Sequence, residues 1–185
     1  MREQQGFTIW FTGLSGAGKS TIADIVIPEL ERRGRIVEPL DGDVVRTHLS
    51  RGLGFSKEDR DTNIERIGWV ASRITRQGGV TVVSAISPYE ETRQAARALV
   101  EEFGAFVCVH VHASVETCVR RDTKGLYAKA IAGEIKEFTG ISDPYEEPLA
   151  PELTITTEGE SPEASAEHVV AYLEQRGLVI SAVAA

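Results

Sequence analysis

An α/β domain built on a five-stranded parallel sheet is the fold this sequence predicts, and three observations carry that reading. Strand-like and helix-like segments alternate along the chain, which is the pattern of repeated β-α-β units. The first strand-like run passes directly into a glycine-rich turn and a helix, at Gly13-Leu14-Ser15-Gly16-Ala17-Gly18-Lys19-Ser20. The run Val80 to Ile86 (VTVVSAI) is apolar or small throughout rather than at alternate positions, as a strand buried on both faces is.

Taken in order, Phe7 to Thr12 (FTIWFT) is a short apolar, β-branched and aromatic strand. Lys19 to Arg33 follows with Ile22, Ile25, Val26 and Leu30 at helical spacing, and Gly34 stops it. Ile36 to Leu40 is the second strand, weakened by Pro39. Ser56 with Asp59 resembles a capping box that opens a helix running to about Gln77. Val80 to Ile86 is the third strand. Ser87-Pro88-Tyr89-Glu90 reads as the next helix start, with Ser87 as cap, Pro88 at the first helical position and Glu90 at the third. Phe106 to His112 and Leu153 to Thr156 are the fourth and fifth strands, and Ser161-Pro162 opens a last helix that ends near Gly177. Asp122 to Pro151 is different, rich in Lys, Glu, Gly and Pro with little periodicity. Long segments of that kind are commonly lids over a site, although a solvated surface excursion fits the composition too.

With 185 residues, the chain is expected to form a single domain over 1–185 that buries a full core without disulfides or structural metal. Twenty basic against 28 acidic residues give a net charge of −8, which disfavours nucleic acid and anionic membranes as partners. The two cysteines, Cys108 and Cys118, show no C-x-x-C spacing. No apolar run approaches the ~18 residues of a membrane span, and the polar start Met1 to Gly6 has no signal-peptide core. A cytoplasmic location is expected.

The glycine-rich turn matches G-x-x-x-x-G-K-[ST] in full, between a strand and a helix. Its glycines let backbone N–H groups converge on phosphates, and the helix N-terminus adds its positive end. Lys19 is placed to reach the β and γ phosphates and Ser20 to ligate Mg²⁺. Gly13, Ser15, Gly16, Ala17, Gly18, Lys19, Ser20 and Thr21 are therefore the candidate residues for the phosphates of a nucleotide, which the family resemblance given below makes ATP. The loop alone leaves GTPase, ATPase motor, nucleotide kinase and metabolite kinase open.

Leu40-Asp41-Gly42-Asp43-Val44-Val45-Arg46 lies where the second strand ends, the side on which α/β sheets bind ligands. A carboxylate there suits a hydroxyl proton or a magnesium ion and Arg46 suits an anion; an Asp-Gly turn with a helix cap explains the same residues. Arg60 and Asn63 share one helix face, where they suit an anion and a base or ribose edge, and Phe55 suits stacking. A capped amphipathic helix accounts for that pattern as well.

The ordered series GLSGAGKST, LDGDVVR, GFSKEDRDTN, ISPYEETR, RDTKGLYAKA and AGEIKEFTGISDPYEEP resembles the adenylylsulfate kinase (APS kinase) family. The resemblance runs from Gly6 to about Leu173, and its KGLY and FTGI-x-x-PYE segments are the specific part. It implies a P-loop kinase fold, usually a homodimer. The implied reaction converts ATP and adenosine 5′-phosphosulfate to ADP and 3′-phosphoadenosine 5′-phosphosulfate, with Mg²⁺. By the same resemblance, Asp43 lies near the attacking ribose 3′-hydroxyl and the magnesium, making Lys19 and Asp43 the catalytic pair and Ser20 and Asp43 the metal pair. Arg46, Arg60 and Asn63 hold the adenosine phosphosulfate, Phe55 and Phe138 sandwich its adenine, Ile86 and Ser87 contact it at the strand end, and Lys124 reaches over the phosphates from the lid. Arg121 and the Thr156-Thr157 loop are assigned to the ATP adenine. The chain departs from the family pattern at Glu65 and Ile131, where arginine is frequent. Functional coupling to ATP sulfurylase is a further implication. Another small-metabolite kinase on this fold, or a non-catalytic regulatory module attached to ATP sulfurylase, are the competing readings; Lys19, Ser20 and Asp43 are all present, as catalysis requires.

His110 and His112 share a strand face and read as structural, as does Cys108, a small buried hydrophobe. The apolar tail Leu178 to Ala185 fits either packing on a subunit or fraying.

Overall fold

The computed structural model describes residues 5–122 and 124–180. Strands β1 (Phe7–Thr12), β2 (Val37–Asp41), β3 (Val80–Ser84), β4 (Ala105–His112) and β5 (Leu153–Thr156) form one parallel five-stranded sheet in the order β2-β3-β1-β4-β5. The helices are α1 (Lys19–Arg32), α2 (Gly42–His48), α3 (Lys57–Arg76), α4 (Glu90–Glu101), α5 (Val115–Arg121), α6 (Leu126–Ile131) and α7 (Pro162–Gln175).

Side chains alternate across each strand, and here both faces are covered. Phe7, Ile9 and Phe11 of β1 pack with Ile22, Val26 and Leu30 of α1 and with Val169 and Leu173 of α7. Trp10 lies in a second core with Ile64, Ile67 and Ala71 of α3 and with Ala96 and Val100 of α4. Each fully buried side chain of this size contributes about 1.5–3 kcal/mol, against about 0–1 kcal/mol for an exposed ion pair, so the two apolar layers dominate. One polar contact adds to them: Glu152, just before β5, accepts from Arg97 Nη1 and Nη2 at 2.8 Å each and from the Cys108 amide at 2.6 Å. It ties the edge of the sheet to β4 and α4.

β1 and β5 coincide with their expected ranges. β3 ends at Ser84 rather than at Ile86, because the chain turns out of the sheet there. Ser56 caps α3 by accepting from the Asp59 amide at 3.2 Å, and Ser161 caps α7 through the Ala164 amide at 3.2 Å. The short helices α2, α5 and α6 have seven residues or fewer, too few to show a hydrophobic period.

Ser87 does not cap a helix. The helix begins at Glu90 with Tyr89 in the cap position, and Ser87 adopts a left-handed backbone with φ +42°. Its Oγ accepts from Trp10 Nε1 at 3.1 Å and donates to Thr12 Oγ1 at 3.0 Å. The free amide of Glu90 donates instead to Glu146 Oε2 at 2.7 Å, so a carboxylate far along the chain does the capping.

The segment 122–151, expected as a lid, contains α6 and an isolated bridge between Thr139 and Asp143. It is tied down by its tyrosines. The Tyr127 hydroxyl donates to the Ser15 carbonyl at 2.8 Å, and the Tyr145 hydroxyl lies 3.0 Å from Thr12 Oγ1. No helix among the described residues is long and apolar enough to cross a membrane.

The α3–α4 contact depends on Gly68, where an added Cβ would lie 2.8 Å from Ala96 Cβ. Overpacking of this kind costs about 1–3 kcal/mol and outweighs the ~1 kcal/mol that alanine gains in helix propensity. Gly68→Ala is expected to lower the denaturant midpoint at unchanged m-value; an equal or higher midpoint would show that the two helices have room to spare.

Candidate active site

The phosphate loop occupies the carboxyl end of β1, the central strand, with Gly18 capping α1. Gly13 passes so close to β4 that a Cβ would lie 2.2 Å from the Val111 carbonyl oxygen. Only glycine fits there, and it presses the loop against the sheet. Lys19 is buried, and its Nζ donates to the Gly13 and Leu14 carbonyls at 2.8 Å each. Burial lowers its pKa to about 8.

A cleft of about 970 Å³ opens in front of this loop. The candidate residues named from the sequence line it, except Gly13, which lies beneath, and Thr156, the last residue of β5: Ser15, Gly16, Ala17, Gly18, Lys19, Ser20, Thr21, Asp43, Arg46, Phe55, Arg60, Asn63, Ile86, Ser87, Arg121, Lys124, Phe138 and Thr157. The sheet order explains the convergence. β3 lies between β1, which ends in the phosphate loop, and β2, which ends in Asp41 and α2.

Beside the phosphate loop, Ser20 Oγ donates to Asp41 Oδ2 at 2.8 Å. The other Asp41 oxygen accepts from the Asp43 amide at 2.9 Å and caps α2. Asp41 is thus structural, as the turn reading has it, and also the carboxylate nearest the loop serine. Asp43 reaches across to the lid and pairs with Lys124. Behind the loop, Arg121 donates to Thr157 Oγ1 and to the Thr157 carbonyl at 2.9 Å each, and Thr157 Oγ1 donates to the Ala17 carbonyl at 2.8 Å.

At the far end, Arg46 donates to the Gly54 carbonyl at 2.8 Å and lies over the Phe55 ring at 4.6 Å. Phe55 is exposed, whereas Phe138 is buried edge-on against Tyr127 at 4.9 Å. Arg60 is buried and donates to the Phe55 carbonyl and Thr139 Oγ1 at 2.7 Å each and to the Glu137 carbonyl. Those bonds engage only part of a guanidinium's five N–H groups. Asn63 is buried and its Oδ1 has no hydrogen-bond partner within the protein. An orphaned acceptor costs about 1–3 kcal/mol unless something satisfies it, so Asn63 marks a position for a donor on a bound molecule.

Sequence reasoning missed Arg93, Tyr127, Tyr145 and Glu146, which hold the cleft in shape. Only the Glu90–Arg93 spacing of an ion pair was there to be noticed. His110, read as structural, is buried and stacks on Tyr145 at 5.9 Å, and burial lowers its pKa. Cys108 is buried, as expected. Glu65 and Ile131 are exposed, and neither lines the cleft. The tail 178–185 is described only as far as Ile180.

Comparison with known proteins gives a consistent picture. The family described as adenylylsulphate kinase matches residues 5–156. The adenylyl-sulfate kinase of Halothermothrix orenii is 54% identical over 97% of this chain and 95% of its own length. A probable bifunctional SAT/APS kinase of Sorangium cellulosum is 53% identical over 94% of this chain, which corresponds to 29% of that protein. The structure of the Mycobacterium tuberculosis APS kinase in complex with AMPPNP and APS superposes with a TM-score of 0.88 at 43% identity, covering 92% of this chain and 98% of that one.

Where Lys19 is the group that meets phosphate, its depressed pKa makes that binding pH-dependent. Its ammonium is present below about pH 8 and is lost above it in the free protein, whereas a bound polyphosphate favours the charged form. Affinity for a nucleoside triphosphate should be flat below that pH and weaken by up to about tenfold per unit above it. Calorimetric titrations from pH 7 to 9.5 check this, and an unchanged Kd would rule out the buried ammonium as its cause. The stability linkage has its own sign. The folded pKa of about 8 lies below the ordinary 10.5, so the unfolded chain binds more protons between those values and Lys19 opposes folding less as pH rises through them.

Proposed function

The chain belongs to the adenylylsulphate kinase family, and we propose that it transfers the γ-phosphoryl group of ATP to the ribose 3′-hydroxyl of adenosine 5′-phosphosulfate, releasing ADP and 3′-phosphoadenosine 5′-phosphosulfate. One observation carries this reading. A single cleft holds a complete phosphate loop at one end and, at the other, the orphaned Asn63 acceptor with Arg46, Arg60 and Phe55. Those residues offer an anion two guanidinium groups, an amino group one buried acceptor, and a base one aromatic face.

Phosphoryl transfer asks the protein for alignment and charge stabilisation rather than covalent chemistry. The loop amides and Lys19 take the β and γ phosphates, and Lys19 exchanges its two carbonyl partners for phosphate oxygens. Arg121 and Thr157 stand beside the loop where the donor base extends. The acceptor lies against Phe55, Asn63 and the two arginines, with its 3′-hydroxyl toward Asp43. As the hydroxyl oxygen bonds to the γ phosphorus, the bond to the β-bridging oxygen breaks and the hydroxyl proton passes to the Asp43 carboxylate. Lys124 pairs with Asp43 in the free chain. With triphosphate present its charge has a stronger partner, which frees the carboxylate for the proton.

The donor set suits Mg²⁺: the hard oxygens of Ser20 and Asp41 are 2.8 Å apart, and Asp43, whose amide donates to Asp41, lines the same cleft. Ser20 and Asp43 would hold the ion, as the family resemblance implies, with Asp41 joining them. When bound, it supplies neutralisation of the phosphate charge. A homodimer and functional coupling to ATP sulfurylase complete the proposal. The relative named as a bifunctional SAT/APS kinase supports the coupling.

Coupled ADP release tests the reaction. Adenosine 5′-phosphosulfate should be turned over efficiently, AMP poorly and adenosine hardly at all, since paired cations left without their anion reject the analogue. Equal efficiency with AMP and adenosine phosphosulfate would refute a sulfonucleotide site. Asp43→Asn should lower kcat by at least about 10²-fold with a smaller effect on ATP binding. A near-normal kcat in that variant would remove Asp43 from the chemistry.

A further inference from the structure

Among the described residues, two other than glycine have a φ in the left-handed region: Ser87 at +42° and Glu137 at +54°. Both line the cleft. Each also has its carbonyl held by a buried arginine, Ser87 by Arg93 Nη1 at 2.5 Å and Glu137 by Arg60 Nη2. A left-handed backbone at a residue with a side chain persists only where its surroundings over-determine it, and such residues concentrate at functional sites.

We infer that Arg93, which does not line the cleft, is a positioning residue that sets the acceptor wall by clamping Ser87 and the end of the lid into one unit. This rests on the reaction proposed above. Ser87 lies in the turn after β3, the strand between the donor and acceptor sides. Its side chain is committed to Trp10 and Thr12, which is a reason for serine rather than glycine there. That hydrogen-bond chain restrains the peptide plane after Ser87 only through a long contact from Thr12 Oγ1 to the Ser87 carbonyl, at 3.5 Å. Arg93 supplies the stronger restraint, at 2.5 Å. Its side chain is 3% exposed, and Nη2 donates to Glu90 Oε2 and to the Glu146 carbonyl at 2.6 Å each. The Glu146 amide in turn donates to the Pro88 carbonyl at 2.8 Å. One planar guanidinium thus fixes the turn, the first turn of α4 and the last part of the lid. A lysine in its place offers a point charge without the fork.

The effect should fall on the acceptor and not on ATP. In the 185-residue chain, Arg93→Lys is expected to raise KM for adenosine phosphosulfate about tenfold while KM for ATP stays within about twofold. Glycine adopts positive φ without help, so the same substitution in a Ser87→Gly background should raise the acceptor KM by less than about threefold over Ser87→Gly alone. Glu90→Gln, which loosens Arg93 without removing it, should shift the acceptor KM in the same direction by a smaller factor, and it carries the test if circular dichroism shows Arg93→Lys to be unfolded. Acceptor and ATP KM values rising together, additive effects in the double variant, or no acceptor shift in a folded Arg93→Lys or, failing that, in Glu90→Gln would each overturn the inference. A wild-type chain that releases no ADP with adenosine phosphosulfate overturns the proposed reaction as well. An active wild type with an unselective Arg93→Lys overturns only the positioning role.

Discussion

A guanidinium withdrawn from water must find acceptors for its N–H groups, and around the cleft of this protein backbone carbonyls supply most of them. Arg46 holds Gly54, Arg60 holds Phe55 and Glu137, Arg93 holds Ser87 and Glu146, and Arg121 holds Gly16, Ala17 and Thr157. Each arginine joins segments that the sheet does not connect. Lys19 obeys the same rule on a smaller scale, with the Gly13 and Leu14 carbonyls. An acidic chain with a net charge of −8 thereby concentrates positive charge where phosphates would lie. The interior bonds keep those cations ordered without an anion.

The lid is fastened by the same logic with neutral donors. Tyr127 fixes its beginning to the phosphate loop and Tyr145 fixes its end to β1, while the Tyr89 hydroxyl donates to Asp143 at 2.8 Å. Burial, with the Asp143 carboxylate second, pushes the Tyr89 phenol up to about 12, so it remains a donor over the working pH range. The exposed Lys124–Asp43 pair is worth little by comparison. Segment 122–151 is therefore held firmly at Tyr127, through Arg60 at Glu137 and Thr139, and at Tyr145, and only weakly at Lys124 near its start.

How much of this was legible depended on the separation between partners. Phe7–Thr12 and Leu153–Thr156 matched their strands because the apolar pattern is local, and the Ser56 and Ser161 caps act over three residues. The phosphate loop was legible because one short segment contains all its parts. Ser87 misled because Ser-Pro-x-Glu is a local signal overridden by a distant one: Glu146 takes the cap, and Trp10 and Thr12 take the hydroxyl. No pattern in the chain indicates that Arg60 meets Thr139, or that Arg93 meets Glu146. The cleft residues were reached by resemblance to a family, and what they are bonded to was supplied by the fold.

The two cysteines lie deep inside this framework. Cys108 is buried on β4 with its pKa pushed up to about 12, and Cys118, fully buried on α5 behind the phosphate loop, is raised as well, in both cases chiefly by burial. The thiolate is the form that attacks disulfides and alkylating agents, so the native chain presents almost none of it. A maleimide dye would therefore find a silent background. Leu149, 85% exposed on the lid, is a natural attachment point through Leu149→Cys, and fluorescence from that position would follow the lid in an otherwise unmodified protein.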